Sequence, residues 1–356
     1  MTQDLPVFVE YKDLVRGKGV FAKKPLKAQE MIFWEVPVSS YRKLDPKPQL
    51  TTCSYTLQST LTPSSPIVSA CINEYHSKHP PPTFVSCPHC KDDEIGGERY
   101  ISEGIRNKAW GEYHEILCTR NTQNHPIHTL ILKARELKVH FPLLILRIMA
   151  SMIQIMKNQL KENKKPKEQI ETECMEKWTI FLANEEKGPL EEETLVCLQS
   201  ILKEKTYDKV VSLRTYRLLN GAILRNAQSL NPVSDFHLFL NGQVDIRQRK
   251  IVSQIDPSFG SPLEFMGSQF MQDLCVEGTG LYLIANTMNH DCNPNVMTVC
   301  SNNSHQVTVI ALRDIKKNEE LTISYIDESL PFAKRKQILQ TMYLFNCTCK
   351  KCQSQH

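Results

Sequence analysis

The stretch Asn289-His290-Asp291-Cys292-Asn293-Pro294-Asn295-Val296, NHDCNPNV, packs three asparagines, a histidine and a cysteine into eight residues. It follows an apolar run, LYLIANTM (Leu281–Met288), and leads into VMTVC (Val296–Cys300), which reads as a strand. Polar groups set between buried segments cost stability unless each one finds a partner. Their density here calls for a purpose beyond packing.

The cysteines give the first clue. There are 13, an odd number, in a chain whose N-terminus (MTQDLPVFVEYKDLV) lacks the apolar core of a secretion signal, so a disulfide framework is not expected. They cluster instead. Cys87 and Cys90 form C-x2-C, and Cys347, Cys349 and Cys352 form C-x-C-x2-C near the end of the chain. Such spacings let thiolates converge on one ion, by default zinc. A closed structural zinc site takes four ligands, so the three late cysteines call for a fourth from elsewhere. Cys292 is a candidate; the alternative is three surface thiols beside lysines.

Further out from these motifs, the chain reads as α+β. Strand patterns occupy residues 6–41 around the turn Gly17-Lys18-Gly19 and return in GLYLIA, NVMTVC, QVTVIAL and ELTISYI. Residues 45–100 are rich in Pro, Ser, Thr, Cys and His, with little apolar periodicity, and would suit metal stapling. Helical periodicity dominates from about Trp110 to Gln228, residues 230–270 are mixed, and a short helix is entered at Pro331. The longest apolar stretch, PLLILRIMASMIQIM from Pro142, carries Arg147 and is about four turns long. It falls short of the ~20 apolar residues of a membrane span and reads as a core helix. Charge is mild: 43 basic against 39 acidic residues give +4, which does not argue for a dedicated nucleic-acid binder. A soluble intracellular protein is expected.

Five motifs then fall in a diagnostic order: GKGVFA at Gly17, EGTGL at Glu277, NHDCNPN at Asn289, ELTISY at Glu320, and the final C-x-C-x2-C. Together they resemble a SET-domain protein-lysine methyltransferase, and the cysteine-rich insert resembles its SET–MYND branch. The resemblance implies small twisted sheets with a pseudoknot. It divides the chain into an N-terminal SET part (6–48), a MYND-like insert (49–118), a helical insert (119–260), the C-terminal SET core (261–330) and a post-SET tail (331–356). The chain stops soon after the post-SET cysteines, as in the family's shorter members, which implies an open substrate cleft.

The family's residues carry over position by position. Asn289 and His290 match contacts to S-adenosylmethionine, as do Arg16, Lys18 and Gly19. Cys292 matches the fourth ligand of the post-SET zinc with Cys347, Cys349 and Cys352. Tyr325 matches the catalytic tyrosine. Tyr343 and Phe345 would pack at the adenine side or line the lysine channel, and Tyr282 would line that channel. In the insert, Cys87, Cys90, His114 and Cys118 match one complete MYND zinc set. The interleaved second set is dismantled: Cys53 remains, its partner falls at Thr56, and Ile101 and Ile105 stand where thiolates belong. A substitute site from Cys53, Cys71, His76 and His79 is the alternative to loop residues without metal.

The implied activity is S-adenosylmethionine-dependent methylation of lysine in a histone or non-histone protein. About two zinc ions, a monomeric state, and a place in the cytoplasm or nucleus follow. The rival reading is a catalytically weak SET–MYND protein serving as a zinc-stabilised interaction module.

Overall fold

The computed structural model describes residues 5–355, apart from 14–16, 45–49, 64, 91–92, 163–164, 177, 179–180, 182–183, 203–206, 260, 267 and 301. The two ends of the chain meet in one sheet. Val7–Asp13 pairs antiparallel with Gly17–Ala22, and Glu320–Ile323 adds antiparallel to the latter. Asn289–His290 completes the sheet, running parallel to Glu320–Ile323. Strand alternation explains the inward face: Val7, Val20, Ala22 and Leu321 are fully buried.

Two three-stranded antiparallel sheets stand beside it. One has the order Ser39–Arg42, Gly278–Leu281, Gln228–Leu230; the other has Val296–Val299, Val307–Ala311, Met31–Glu35. Their inner side chains, among them Ile32, Phe33, Leu230, Val296 and Val309, share one apolar cluster with Met288 and Tyr282. The polar stretch is thus bounded by core on both sides.

The helical insert is organised by Phe141–Lys161, entered at Pro142 and buried at nearly every position from Pro142 to Met156. Each fully buried Leu, Ile or Met contributes ~1.5–3 kcal/mol of burial. The helix is long and apolar enough to cross a membrane, yet 72% of its most apolar window is buried inside the fold. Arg147 is part of that burial: Nη1 donates to the carbonyls of Ser40 and Ser54, both at 2.9 Å, and Nη2 to Glu98 Oε1 at 3.2 Å.

Two helical regions were not legible as such. Pro66–Lys78 forms a helix capped by Ser65 inside the segment read as poor in periodicity. Residues 230–270, read as mixed, hold Asp235–Asn241, Asp245–Ile255 and Pro262–Met266, with Gln269–Asp273 following. Phe236, Phe239, Ile251, Phe265 and Met271 pack with Val68, Cys71 and Ile72 as a separate cluster. Each short helix carries too narrow an apolar stripe to stand out, and only the pairing of distant segments buries it.

Candidate active site and metal centres

Cys292 is brought to the tail by the parallel pairing of Asn289 and His290 with Thr322 and Ile323. Its Sγ lies 3.5 Å from that of Cys352 and 4.0 Å from that of Cys347, and the four sulfurs of Cys292, Cys347, Cys349 and Cys352 lie within 4.8 Å of one another. Sulfurs ~2.3 Å from a tetrahedral zinc stand ~3.8 Å apart, so the donor set fits that ion. Disulfides, at ~2.05 Å, are excluded. Arg335, 2% exposed, sets Nη2 3.8 Å from Cys352 Sγ and is fixed by Leu330 O and Gln355 Oε1. Its guanidinium would offset the surplus negative charge of four thiolates on a divalent ion.

His290 connects this centre to Tyr325. The Tyr325 backbone N–H donates to His290 Nδ1 at 3.0 Å, which places the ring proton on Nε2, 3.2 Å from Cys292 Sγ. Burial pushes the ring's pKa down to about 4, so this neutral tautomer persists at physiological pH. The imidazole therefore donates to a sulfur of the metal-competent set while holding the backbone of Tyr325, an arrangement typical of groups surrounding a metal site.

Tyr325 sits among aromatic rings: His290 at 5.3 Å between centroids, Tyr343 at 4.9 Å and Phe345 at 6.4 Å. Its hydroxyl donates to Met288 O at 2.7 Å, and burial raises the phenol's pKa above its ordinary value. Tyr325 and Tyr343 line one cleft with Arg225, Gln228, Ser229, Asn286, Met288 and Thr298. Several polar atoms there are buried without a partner: both amide atoms of Asn286, Nε2 of Gln228 and Nε of Arg225. Orphaned polar atoms around one cleft fit a polar ligand such as the amino-acid end of S-adenosylmethionine.

The rest of the polar stretch is satisfied internally. Asn289 Nδ2 donates to Lys18 O at 3.1 Å and Glu320 Oε1 at 2.8 Å. Asn295, 2% exposed, donates to Glu320 O and accepts from Thr322 N–H, stitching the stretch to the strand that leads into Tyr325. Upstream, the Glu35 carboxylate accepts from the N–H groups of Leu283, Ile284 and Ala285 at 2.8–3.2 Å, fixing the turn into Asn289.

In the insert, Cys87, Cys90, His114 and Cys118 also converge within 4.8 Å, all buried. Cys87 and Cys118 sulfurs are 3.8 Å apart, and His114 Nε2 lies 3.5 Å from Cys90 Sγ. A one-turn π-helix, Trp110–His114, presents the imidazole. Its Nδ1 faces Glu98 Oε2 at 3.3 Å, leaving Nε2 for a metal. These are the two metal-competent groups among the described residues. The alternative set does not assemble: His76 pairs with Asp235 at 2.8 Å, His79 stacks on Tyr75, and Cys71 lies in a different cluster from Cys53. Ile101 and Ile105 pack against the core around the fully buried Cys53, whose Sγ accepts from Thr56 N–H.

Other expectations fall differently. Arg16 lies outside the described residues. Lys18 is exposed and reaches the site through its carbonyl rather than its ammonium. At Gly19 a Cβ would come within 2.8 Å of Glu320 Oε1, so glycine permits this close approach. Tyr282, expected in the lysine channel, is fully buried in the sheet core with its hydroxyl donating to His305 O at 2.6 Å. It follows the strand Gly278–Leu281, which is buried at every position, and packs into the apolar cluster between the sheets rather than lining the cleft. Sequence reasoning missed Asn286, Gln228, Arg225 and Arg335; only Asn286, three residues before Asn289, carried a signal, as an amide in an apolar run.

Against known proteins, the chain matches the SET domain family over residues 17–326. The mouse protein-lysine N-trimethyltransferase SMYD5 is 27% identical over 378 aligned positions, 97% of this chain and 86% of the relative. Its zebrafish (Danio rerio) counterpart is 29% identical over 387, covering 98% and 87%. The Arabidopsis thaliana histone-lysine N-methyltransferase ATXR2 is 27% identical over 311, covering 77% and 63%. With the ordered motifs, the two zinc-competent centres and the match across most of its length, the chain belongs to the SET-domain family, in its SET–MYND methyltransferase branch.

Proposed function

We propose that this protein methylates the ε-amine of a protein lysine in the cleft beside Tyr325, with S-adenosylmethionine held by Asn289, His290, Gly19, the Lys18 backbone, Asn286 and Phe345. The observation that carries the assignment is the place of Tyr325, wedged between His290 and Tyr343 with its hydroxyl anchored on Met288 O. When bound, the cofactor supplies an electrophilic methyl group on a sulfonium. In-line attack by an amine leaves little covalent work to the protein, so orientation is the main contribution.

Tyr325 orients the amine. Its phenol is neutral across physiological pH, because burial raises its pKa, so it is not a tyrosinate base. The incoming lysine must itself lose a proton, although free lysine titrates near ~10.4. Burial of the amine against the rings of Tyr325 and Tyr343, beside the cationic sulfonium, would disfavour the ammonium and promote that loss before attack. Orphaned amides of Asn286 and Gln228 would bind the polar end of the cofactor and exclude loose water.

The relatives are named for histone-lysine and for protein-lysine methylation, which supports a lysine-bearing protein as substrate, histone or otherwise. We infer a monomer acting in the cytoplasm or nucleus without membrane or direct nucleic-acid contact; the mild charge of +4 supports the last point.

Tyr325→Phe tests the site. Labelled-methyl transfer to proteins of a cell lysate should fall by roughly 10²-fold, the scale of losing a contact that positions the reacting atoms. Cofactor affinity by calorimetry should change less than about threefold, since binding rests mainly on other groups. Full-rate transfer by the variant would remove Tyr325 from the catalytic role.

A further inference from the structure

The tail helix Phe332–Tyr343 fully buries only Arg335 and Leu339, and its C-terminal end rests on a small apolar cluster in which Tyr343 and Phe345 are only partly buried. That end nevertheless carries Tyr343, whose hydroxyl donates to Tyr325 O at 3.2 Å, and Phe345, 6.0 Å from His290. After Tyr343 the backbone reverses at Leu344 in the left-handed region, φ 63°. Four residues beyond Tyr343 comes Cys347, fixed by the metal centre. Something must fix the other side.

Arg225, in the last turn of the helix Leu213–Asn226, does so across the cleft. Nη1 donates to Met342 O at 2.5 Å, and Nη2 pairs with Glu186 Oε1 at 2.5 Å. The side chain is 9% exposed, and its Nε is buried without a partner where Arg225 lines the cleft with Tyr325 and Tyr343. Met342 O is one of the carbonyls that a helix end leaves without an internal donor, and a cation is favoured at that end. Glu186 fixes the guanidinium, so the hold is preorganised.

We propose that Arg225 is a positioning residue for methyl transfer: a clasp that, with the zinc at Cys292, Cys347, Cys349 and Cys352, holds Tyr343 to Phe345 against Tyr325 from both sides. The inference rests on the proposed active site, because it gives the held aromatics a task there. The clasp and the zinc act on opposite ends of one short segment, so either can loosen while the other remains.

Arg225→Met and Arg225→Lys in zinc-replete full-length protein test this with three readouts: zinc content, amide hydrogen exchange over residues 341–346, and transfer rate with cofactor affinity. In Arg225→Met, zinc content stays at the wild-type value and exchange over 341–346 speeds up by roughly tenfold or more, as for loss of a hydrogen bond to a charged group. The maximal rate falls by more than cofactor affinity does, the affinity loss reflecting the loosened Phe345 and the Arg225 Nε that faces the cleft. Arg225→Lys, which keeps the charge and one donor, recovers part of the protection and of the rate. Unchanged exchange over 341–346 in Arg225→Met with zinc retained would overturn the proposal. So would faster exchange spread equally through the helix Leu213–Asn226, which marks general loosening. If neither wild type nor variant transfers methyl, the exchange result still decides the clasp, and only the proposed function falls.

Discussion

Replacing Arg147 by methionine should damage this fold more than any surface charge change, and the structure sets the scale. The guanidinium is 6% exposed, makes three hydrogen bonds, and lies over the rings of Tyr41 at 4.6 Å and Tyr113 at 4.4 Å. Methionine would fill the stem's volume, so cavity formation is a small part of the loss. The larger part is the Glu98 carboxylate, left without its cation among Tyr100, Tyr113 and His114, together with two carbonyls short of a donor. Breaking a buried pair from one side costs ~3–5 kcal/mol, about a fifth or more of a typical ~5–15 kcal/mol total. The strand Ser39–Arg42 would loosen with it, and through Gly278–Leu281 the edge strand Gln228–Leu230 that lines the cleft. Urea denaturation at fixed zinc measures the loss. Arg147→Met combined with Glu98→Gln should recover ~1–2 kcal/mol, because the stranded charge is gone. A single-variant loss below ~1 kcal/mol, or a double variant worse than the sum of the singles, would refute the view that Arg147 neutralises Glu98.

Two further outcomes are expected. Cys292→Ser should lower the zinc content from two ions per chain to one, measured by metal analysis, since the remaining three sulfurs no longer close a tetrahedral site; two ions retained would assign the fourth ligand elsewhere. Burial pushes the pKa of His305 down to about 4, against ~6.5 for free histidine. Between those values the unfolded chain binds a proton that the folded chain refuses, so stability falls as pH drops through ~6.5 towards 4. The contribution is on the order of 3 kcal/mol. His305→Gln should flatten the Tm-against-pH curve in that window relative to wild type; parallel curves would show that the imidazole does not titrate there.

What residues alone determine here is chemistry that depends on local spacing. Three cysteines within six positions, the C-x2-C of Cys87 and Cys90, and a polar NHDC between apolar runs are covalently close, so their meaning survives without the fold; His114 and a third cysteine, Cys118, follow at family spacing. The α+β class was legible for the same reason, because strand alternation and the long apolar helix from Phe141 are periodic in sequence. Partnerships across the chain were not. Tyr282 and Tyr325 are both tyrosines in or beside strands, and only the direction each takes from its sheet sends one to the core and the other to the cleft. Arg225 and Met342, or Arg335 and Cys352, are joined by geometry that no spacing encodes. Cys292 stands at the boundary between the two. Its identity marked it as a candidate ligand, but only the parallel pairing of Asn289–His290 with Glu320–Ile323 brings it beside the tail cysteines. His290 and the backbone of Tyr325 then share one set of hydrogen bonds with that sulfur.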